Sequence, residues 1–156
     1  MINTSLCYIT RGEEVLLLHR VKKKNDVNHD KWIGLGGKFE EGESPEECML
    51  REVLEETGLR LTCWRYRGII TFVTDEAEAE LMHLFTADGF IGELTDCDEG
   101  ELTWVPKARM DSLPQWEGDR IFHRLLKEGI PFFELTLIYS GEKLLSAELN
   151  GKRLQI

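Results

Sequence analysis

The stretch 37-GKFEEGESPEECMLREVLEETGL-59 places eight glutamates in 23 residues, several of them at helical spacing. Like charges at i, i+4 weaken a helix by about a few tenths of a kcal/mol per pair. The punctuation of a helix is nonetheless complete. Ser44 can cap the N-terminus, Pro45 falls at the first helical position and Glu47 completes a capping box. Gly58 suits a left-handed stop. Leu50, Val53, Leu54 and Thr57 recur at three- and four-residue spacing and form the expected buried stripe. Glu52, Glu55 and Glu56 lie on a separate arc of roughly a third of the circumference, and Arg51 precedes Glu55 by four residues and can brace it. Such an arc is either a solvated face or a seat for a hard divalent cation, whose ligands are carboxylates, waters and substrate phosphates. The glycines just before it, Gly34, Gly36 and Gly37, permit a backbone carbonyl to approach closely.

Outward from this segment the chain reads as one domain over residues 1–156, with no linker, repeat or low-complexity tract. The runs 5-SLCYIT-10 and 15-VLLLHR-20 read as strands around a turn at 11–14. Residues 21–30 are a polar loop containing three consecutive lysines, and 31–43 is a glycine-rich loop. Strands follow at 59–74 and 79–90, joined as a hairpin, and at 102–105. A second helix is expected from about Glu117 to Glu128, with Ile121, Phe122, Leu125 and Leu126 as its apolar residues. A terminal hairpin turns near Ser140 and Gly141. Strands and helices that mix without strict alternation indicate an α+β arrangement, a mixed sheet flanked by helices.

A formal net charge of −10 argues against general binding to nucleic acid or an anionic membrane. It leaves room for a small anion where the site brings its own positive charge. Cys7, Cys48, Cys63 and Cys97 form no CxxC pair and no zinc cluster with histidines. The N-terminal residues lack a basic region followed by a long apolar run. The reading is a cytoplasmic protein with reduced thiols.

Gly37, then Glu43 after five residues, then Arg51-Glu52-Val53-Leu54-Glu55-Glu56-Thr57-Gly58-Leu59 after seven more, resembles the Nudix box without a departure at any fixed position. The resemblance implies the Nudix fold and metal-dependent hydrolysis of a nucleoside diphosphate linked to another group. By the same resemblance Glu52 and Glu56 are the primary ligands of magnesium, with manganese as an alternative. Glu55 is a further ligand or the base that activates water. Gly36 lends its carbonyl, Arg51 orients a glutamate, and Glu43 supports the site or is structural, as are Gly37 and Gly58. Glu99, in 96-DCDEGELTW-104, stands where some relatives place another ligand or base, and is otherwise a solvated loop acid. Adjacent carboxylates titrate as a set, so the base is left between Glu55 and Glu99.

Beyond the box, 31-KWIGLGGK-38, the strand pair after the helix and 114-PQWEGDRIF-122 are similar to MutT-type enzymes that clean the nucleotide pool. That likeness implies a purine nucleoside triphosphate substrate, 8-oxo-dGTP foremost, and the monophosphate and pyrophosphate as products. Trp116 either stacks on the purine or fills the core. Asp119 or Glu117 would accept from the base, Phe72 and Met82 would line the cleft, and Lys38 and Lys23 would hold phosphate. Two departures bear on base selectivity: Ile33 stands where relatives carry a base-contacting asparagine, and Gly118-Asp119 stands where they carry paired acids. Other substrates of the family are ADP-ribose, dinucleoside polyphosphates and RNA 5′ ends. A nucleotide sensor that no longer catalyses is the reading from outside the enzymes. Monomer and homodimer are both compatible with the sequence.

Overall fold

In the computed structural model, which describes residues 1–156, the two apolar runs near the N-terminus become β1 (Ile2–Arg11) and β2 (Glu14–His19), an antiparallel hairpin with Arg11 opposite Glu14. The unbroken run Val15–Leu18 is apolar because both faces of its strand are covered. Leu16 and Leu18 enter one core with Cys7 and Ile9, while Val15 and Leu17 enter a second core with Tyr8. This is the two-residue alternation of a pleated strand written into two separate cores.

β4 (Arg60–Val73) and β5 (Glu80–Ile91) form the expected long hairpin, and β5 lies parallel to β1 from Ile2 to Ile9. β7 (Phe133–Ser140) pairs parallel with β4 and turns into β8 (Lys143–Leu149), with a two-residue β9 (Lys152–Arg153) beyond it. β6 (Glu101–Pro106) pairs along the whole of β2, leads into a 3-10 turn at Lys107–Ser112, and so precedes α2 (Asp119–Lys127). The sheet is mixed. α1 (Pro45–Thr57) contributes Met49 and Val53 to the core on one face, and α2 contributes Phe122 and Leu125 to the core on the other. A mixed sheet between helices is therefore the architecture. No helix is long and apolar enough to cross a membrane, and all four cysteines are free thiols.

The caps of α1 form as the sequence indicates. Ser44 accepts from the Glu47 N–H, the Glu47 side chain returns to the Ser44 N–H, and Gly58 closes the helix at φ 80° with its N–H on the Leu54 carbonyl. A cap of this kind is worth about 1 kcal/mol. The buried stripe, however, is rolled from the expected one. Cys48, Met49, Val53, Glu56 and Thr57 are buried, while Leu50 and Leu54 are only partly so. The roll turns Glu56 inward, where a partner from outside the helix waits.

The glycine-rich loop is also more ordered than a loop reading implies. It begins with a short strand β3 (Trp32–Ile33) on β2, then runs along β1. Leu35 and Cys7 exchange both backbone hydrogen bonds, at 2.9 and 2.6 Å, and the Ser5 N–H donates to the Gly37 carbonyl at 2.9 Å. The loop thus acts as an extra edge to β1, which fixes its position against α1.

Candidate active site

Gly36 and Gly37 are glycines for steric reasons specific to this approach. A Cβ on Gly36 would meet the Ser5 carbonyl oxygen at 1.9 Å, and one on Gly37 would meet the Glu52 carboxyl carbon at 2.6 Å. The bare backbone lets the Gly36 N–H donate to Glu56 Oε1 at 2.7 Å. The Gly36 carbonyl takes no backbone hydrogen bond among the loops.

Arg51 organises the carboxylates on the outer side. Its guanidinium donates to both oxygens of Glu43 (2.7 and 2.9 Å), to Glu52 (2.8 Å), to Glu55 (3.2 Å) and to the Lys38 carbonyl (3.1 Å). A planar fork with five donors suits this task and an ammonium does not. The arginine holds the Glu43 carboxyl down at about 2. Glu52 is shifted the other way, upward, because burial outweighs its bond to Arg51.

Glu56, Glu99 and the Cys97 thiol bring their ligand atoms within 4.8 Å of one another. Burial, reinforced by Glu99, pushes the Glu56 carboxyl well above the carboxylate range, with the Gly36 N–H opposing. Glu99 reaches this point from the loop before β6, held by Arg20 at 3.1 Å and flanked by Lys23 at 3.7 Å. Arg20 is itself anchored on Asp26 at 2.6 Å.

Gly36, Lys38, Arg51, Glu52 and Glu99 line a cavity of about 560 Å³, with Glu56 beside Glu99. Ile33, Phe72, Met82, Trp116 and Asp119 line the same cavity. Trp116 is held edge-on by Phe72 and Tyr139, with ring centroids 5.1 Å away in each case, and its indole N–H donates to Asn28 Oδ1 at 2.7 Å. The Lys31 ammonium sits 4.6 Å over its ring. Asp119 opens α2 with only 5% of its surface exposed, and its carboxyl makes no hydrogen bond or ion pair within the chain. Burial pushes it up to about 7, with Arg120 and Lys31 pulling back.

A profile of the NUDIX domain matches residues 2–126. The chain belongs to the Nudix family. It is 32% identical to the mouse oxidized purine nucleoside triphosphate hydrolase, over 94% of this chain and 92% of that one. It is 36% identical to the NAD-capped RNA hydrolase NudC of Yersinia pestis, over 68% of this chain but 38% of that protein. The crystal structure of the MutT protein of Bacillus halodurans superposes with a TM-score of 0.85 at 28% identity, covering 97% of this chain and 99% of the other.

Nudix hydrolases generally work with a divalent metal, and the donor set here fits one. The oxygens of Glu52, Glu56 and Glu99 and the Gly36 carbonyl are hard ligands. Two of those carboxylates are crowded together in a largely buried place, an arrangement that a divalent cation relieves. Cys97 is soft and its thiol is raised by burial, so it contributes packing and not ligation.

Of the residues singled out from the Nudix sequence, Gly36, Glu52, Glu56 and Glu99 converge, with Arg51 and Glu43 behind them. Phe72, Trp116 and Asp119 gather beside one another in the lining of the same cavity, which also includes Lys38. Glu55 and Lys23 stand outside the cavity lining: Glu55 is exposed and turned to Arg51, and Lys23 is exposed beside Glu99. Asn28, Arg20 and Glu80 were not anticipated. Glu80 lines the cavity, raised by burial and bonded to the Thr4 hydroxyl at 3.2 Å.

Proposed function

We infer that this Nudix hydrolase cleaves a purine nucleoside triphosphate to the monophosphate and pyrophosphate, with an oxidised purine such as 8-oxo-dGTP as the preferred substrate. The observation that carries this reading is that one cavity is lined both by Glu52 and Glu99, with Glu56 beside them, and by a buried, unpartnered Asp119 carboxyl. A volume of about 560 Å³ suits a nucleotide, and the aromatic walls Phe72 and Trp116 suit a purine. The similarity to the mouse oxidized purine nucleoside triphosphate hydrolase over nearly the whole chain supports the same substrate class.

Glu52, Glu56 and the Gly36 carbonyl would hold magnesium or manganese, which supplies charge neutralisation at phosphate oxygens and acidifies nearby water. Lys38 holds phosphate charge on the cavity wall. Glu99 takes the proton of the attacking water, since it lines the cavity whereas Glu55 is turned to Arg51. The water oxygen bonds to the α-phosphorus and the α–β bridging oxygen departs with pyrophosphate. Arg51 is a positioning residue for Glu52 and Glu43. Asp119, ionising near neutrality, accepts from a ring N–H or donates to a ring carbonyl, and 8-oxoguanine differs from guanine by an N–H at position 7 and a carbonyl at position 8.

A panel of nucleotides with magnesium, products resolved by chromatography, tests the assignment. The expected result is kcat/KM for 8-oxo-dGTP above that for dGTP by about tenfold or more. Equal values would remove the selective reading, and preference for ADP-ribose, a dinucleoside polyphosphate or an RNA 5′ end would replace the substrate.

A further inference from the structure

A second concavity lies at the far end of the strands that carry the cleft. The cleft is lined by Thr4–Leu6 of β1, Phe72 of β4 and Glu80 and Met82 of β5. The second is lined further along the same strands, by Tyr8 and Thr10 of β1, Cys63–Arg65 and Arg67 of β4 and Thr86–Asp88 of β5. Its volume is about 950 Å³, at the upper end of the range of about 300–1,000 Å³ for small-molecule sites.

Its charge inverts that of the cleft. The cleft sets Glu40, Glu52, Glu78, Glu80, Glu99 and Asp119 against Arg20, Lys38 and Arg51. The second cavity sets Arg65, Arg67, Lys107, Arg120, Arg124 and Lys127 against Glu13, Asp88 and Asp111. In a chain of net charge −10, composition alone would give the opposite sign.

No acid of this cavity forms an ion pair with its lysines or arginines. Asp111 accepts from His123 Nδ1 at 3.2 Å, and His123 Nε2 meets the Tyr8 hydroxyl at 3.0 Å, a chain that closes the floor. Asp88 raises the Cys63 thiol above its ordinary range. Arg65, Arg67, Lys107, Arg120 and Lys127 form no ion pair, and Arg124 reaches only Glu128, at 3.9 Å and outside the lining. Arg67 is partly buried with Thr86 Oγ1 as its one hydrogen-bond acceptor, at 3.2 Å, and Arg65 beside it on β4 adds repulsion. Arg120 is fixed by the carbonyls of Asp111 and Leu113. Five of these cations are exposed and Arg67 is partly buried, so the concavity presents several unpaired positive charges to solvent, where an anion can reach them.

We propose that this cavity is a second ligand site, separate from the cleft, that takes a small molecule carrying two or more phosphoryl groups without a metal. Guanidinium forks beside ammonium groups are the usual partners of phosphate oxygens. A di- or triphosphate concentrates several charges in a small volume, matching several cations about one concavity. A long polyanion is disfavoured by the negative charge on the rest of the chain. The site also shares α2 with the cleft: Asp119 faces one, while Arg120, His123, Arg124 and Lys127 face the other.

Inorganic tripolyphosphate, titrated into the full chain in the presence of EDTA, is the probe, with heat and backbone amide shifts as readouts. The expected result is saturable one-to-one binding with shifts centred on Arg65–Arg67 and Arg120–Lys127. The R65Q/K127Q double variant, changed at exposed positions only, should bind about tenfold more weakly or worse while keeping its nucleotide hydrolysis with magnesium. Absence of saturable binding, shifts confined to Gly36–Lys38, or an unaltered affinity in the variant would each overturn the site. Citrate binding as tightly would overturn the phosphate class, and a short single-stranded oligonucleotide binding more tightly would overturn the small-ligand assignment. Because the titration is free of metal, a negative result leaves the cleft's proposed chemistry standing.

Discussion

The Glu56 carboxylate accepts the backbone N–H of Gly36 across a separation of 20 residues in sequence, at 2.7 Å. One hydrogen bond thus joins the last turn of α1 to the glycine loop and fixes the inward roll of the helix. Glu56→Gln keeps an oxygen for that N–H and removes the charge. In the metal-free protein at mildly alkaline pH, where the folded state keeps a proton on Glu56 that the unfolded chain releases, the variant is expected to melt higher than the parent. Magnesium should stabilise the parent by mass action and leave the variant unmoved, and hydrolysis should fall on the order of a hundredfold or more. Thermal melts with and without magnesium, beside a steady-state assay, check all three. A variant that melts lower in both conditions would make Glu56 a purely structural group.

Gly37→Ala tests how closely the loop must approach. The added methyl would lie 2.6 Å from the Glu52 carboxyl carbon, so the flexible glutamate has to swing away while the backbone stays. The expected variant keeps its far-ultraviolet circular dichroism and loses magnesium affinity by roughly 10–100-fold. Gly36→Ala is harsher, since the clash there is with the Ser5 carbonyl at 1.9 Å, and it should unfold at markedly lower temperature. Equal metal affinity in Gly37→Ala and parent would show that Glu52 is not a ligand.

How far the sequence disclosed this site depends on how local each determinant is. The ends of α1 were legible because Ser44, Pro45, Glu47 and Gly58 act within a turn of themselves. Its roll was not, because Glu56 is turned inward by a partner in another segment, displacing Leu50 and Leu54 from the expected stripe. The glutamate arc and the 114–122 segment, read through resemblance, both led to the cavity. Asn28 carried no signal, being one polar residue in a polar loop. Its role appears only when the fold brings it to the Trp116 indole. Likewise the two-residue β3 is too short for any periodicity, and the parallel pairing of β1 with β5 is a long-range event. The basic cavity is assembled from β4, the 3-10 turn and α2, so its charge is diluted in an acidic sequence.

Arg51 and Glu43 make a prediction for acid stability. The Glu43 carboxyl is held at about 2, against an ordinary 4.5, chiefly by its hydrogen bonds to Arg51. A depressed carboxyl stabilises the fold fully above its unfolded value and loses that contribution as pH falls toward the folded value. The unfolding free energy of the parent should therefore decline between about pH 4.5 and 2 through this group. Glu43→Gln and Arg51→Lys should both flatten that part of the curve, the lysine because a point charge cannot replace a bidentate fork. Urea titrations at stepped pH check this, and a slope unchanged in both variants would mean that the pair does not set it. Arg51→Lys should also lower kcat, by releasing Glu52, whereas Glu43→Gln should do so less.

Asp119 makes the opposite prediction, because its carboxyl is raised, from 3.8 to about 7, chiefly by burial. Below the unfolded value both states hold the proton and the group costs nothing. As pH rises from about 4 to 7 the unfolded chain releases the proton while the folded one keeps it, so stability falls; above about 7 the full cost stands, roughly 4 kcal/mol at most. Asp119→Asn has no proton to lose. Its stability relative to the parent should grow across that window and level off above it, visible as a pH-dependent gap between melting temperatures. The same substitution should cut the preference for 8-oxo-dGTP over dGTP by about tenfold or more, without altering magnesium affinity. A gap that stays constant with pH would mean that Asp119 is ionised throughout. If selectivity also survived, base reading would have to be assigned to another wall, such as Asn28, which lines the cavity and holds the Trp116 indole.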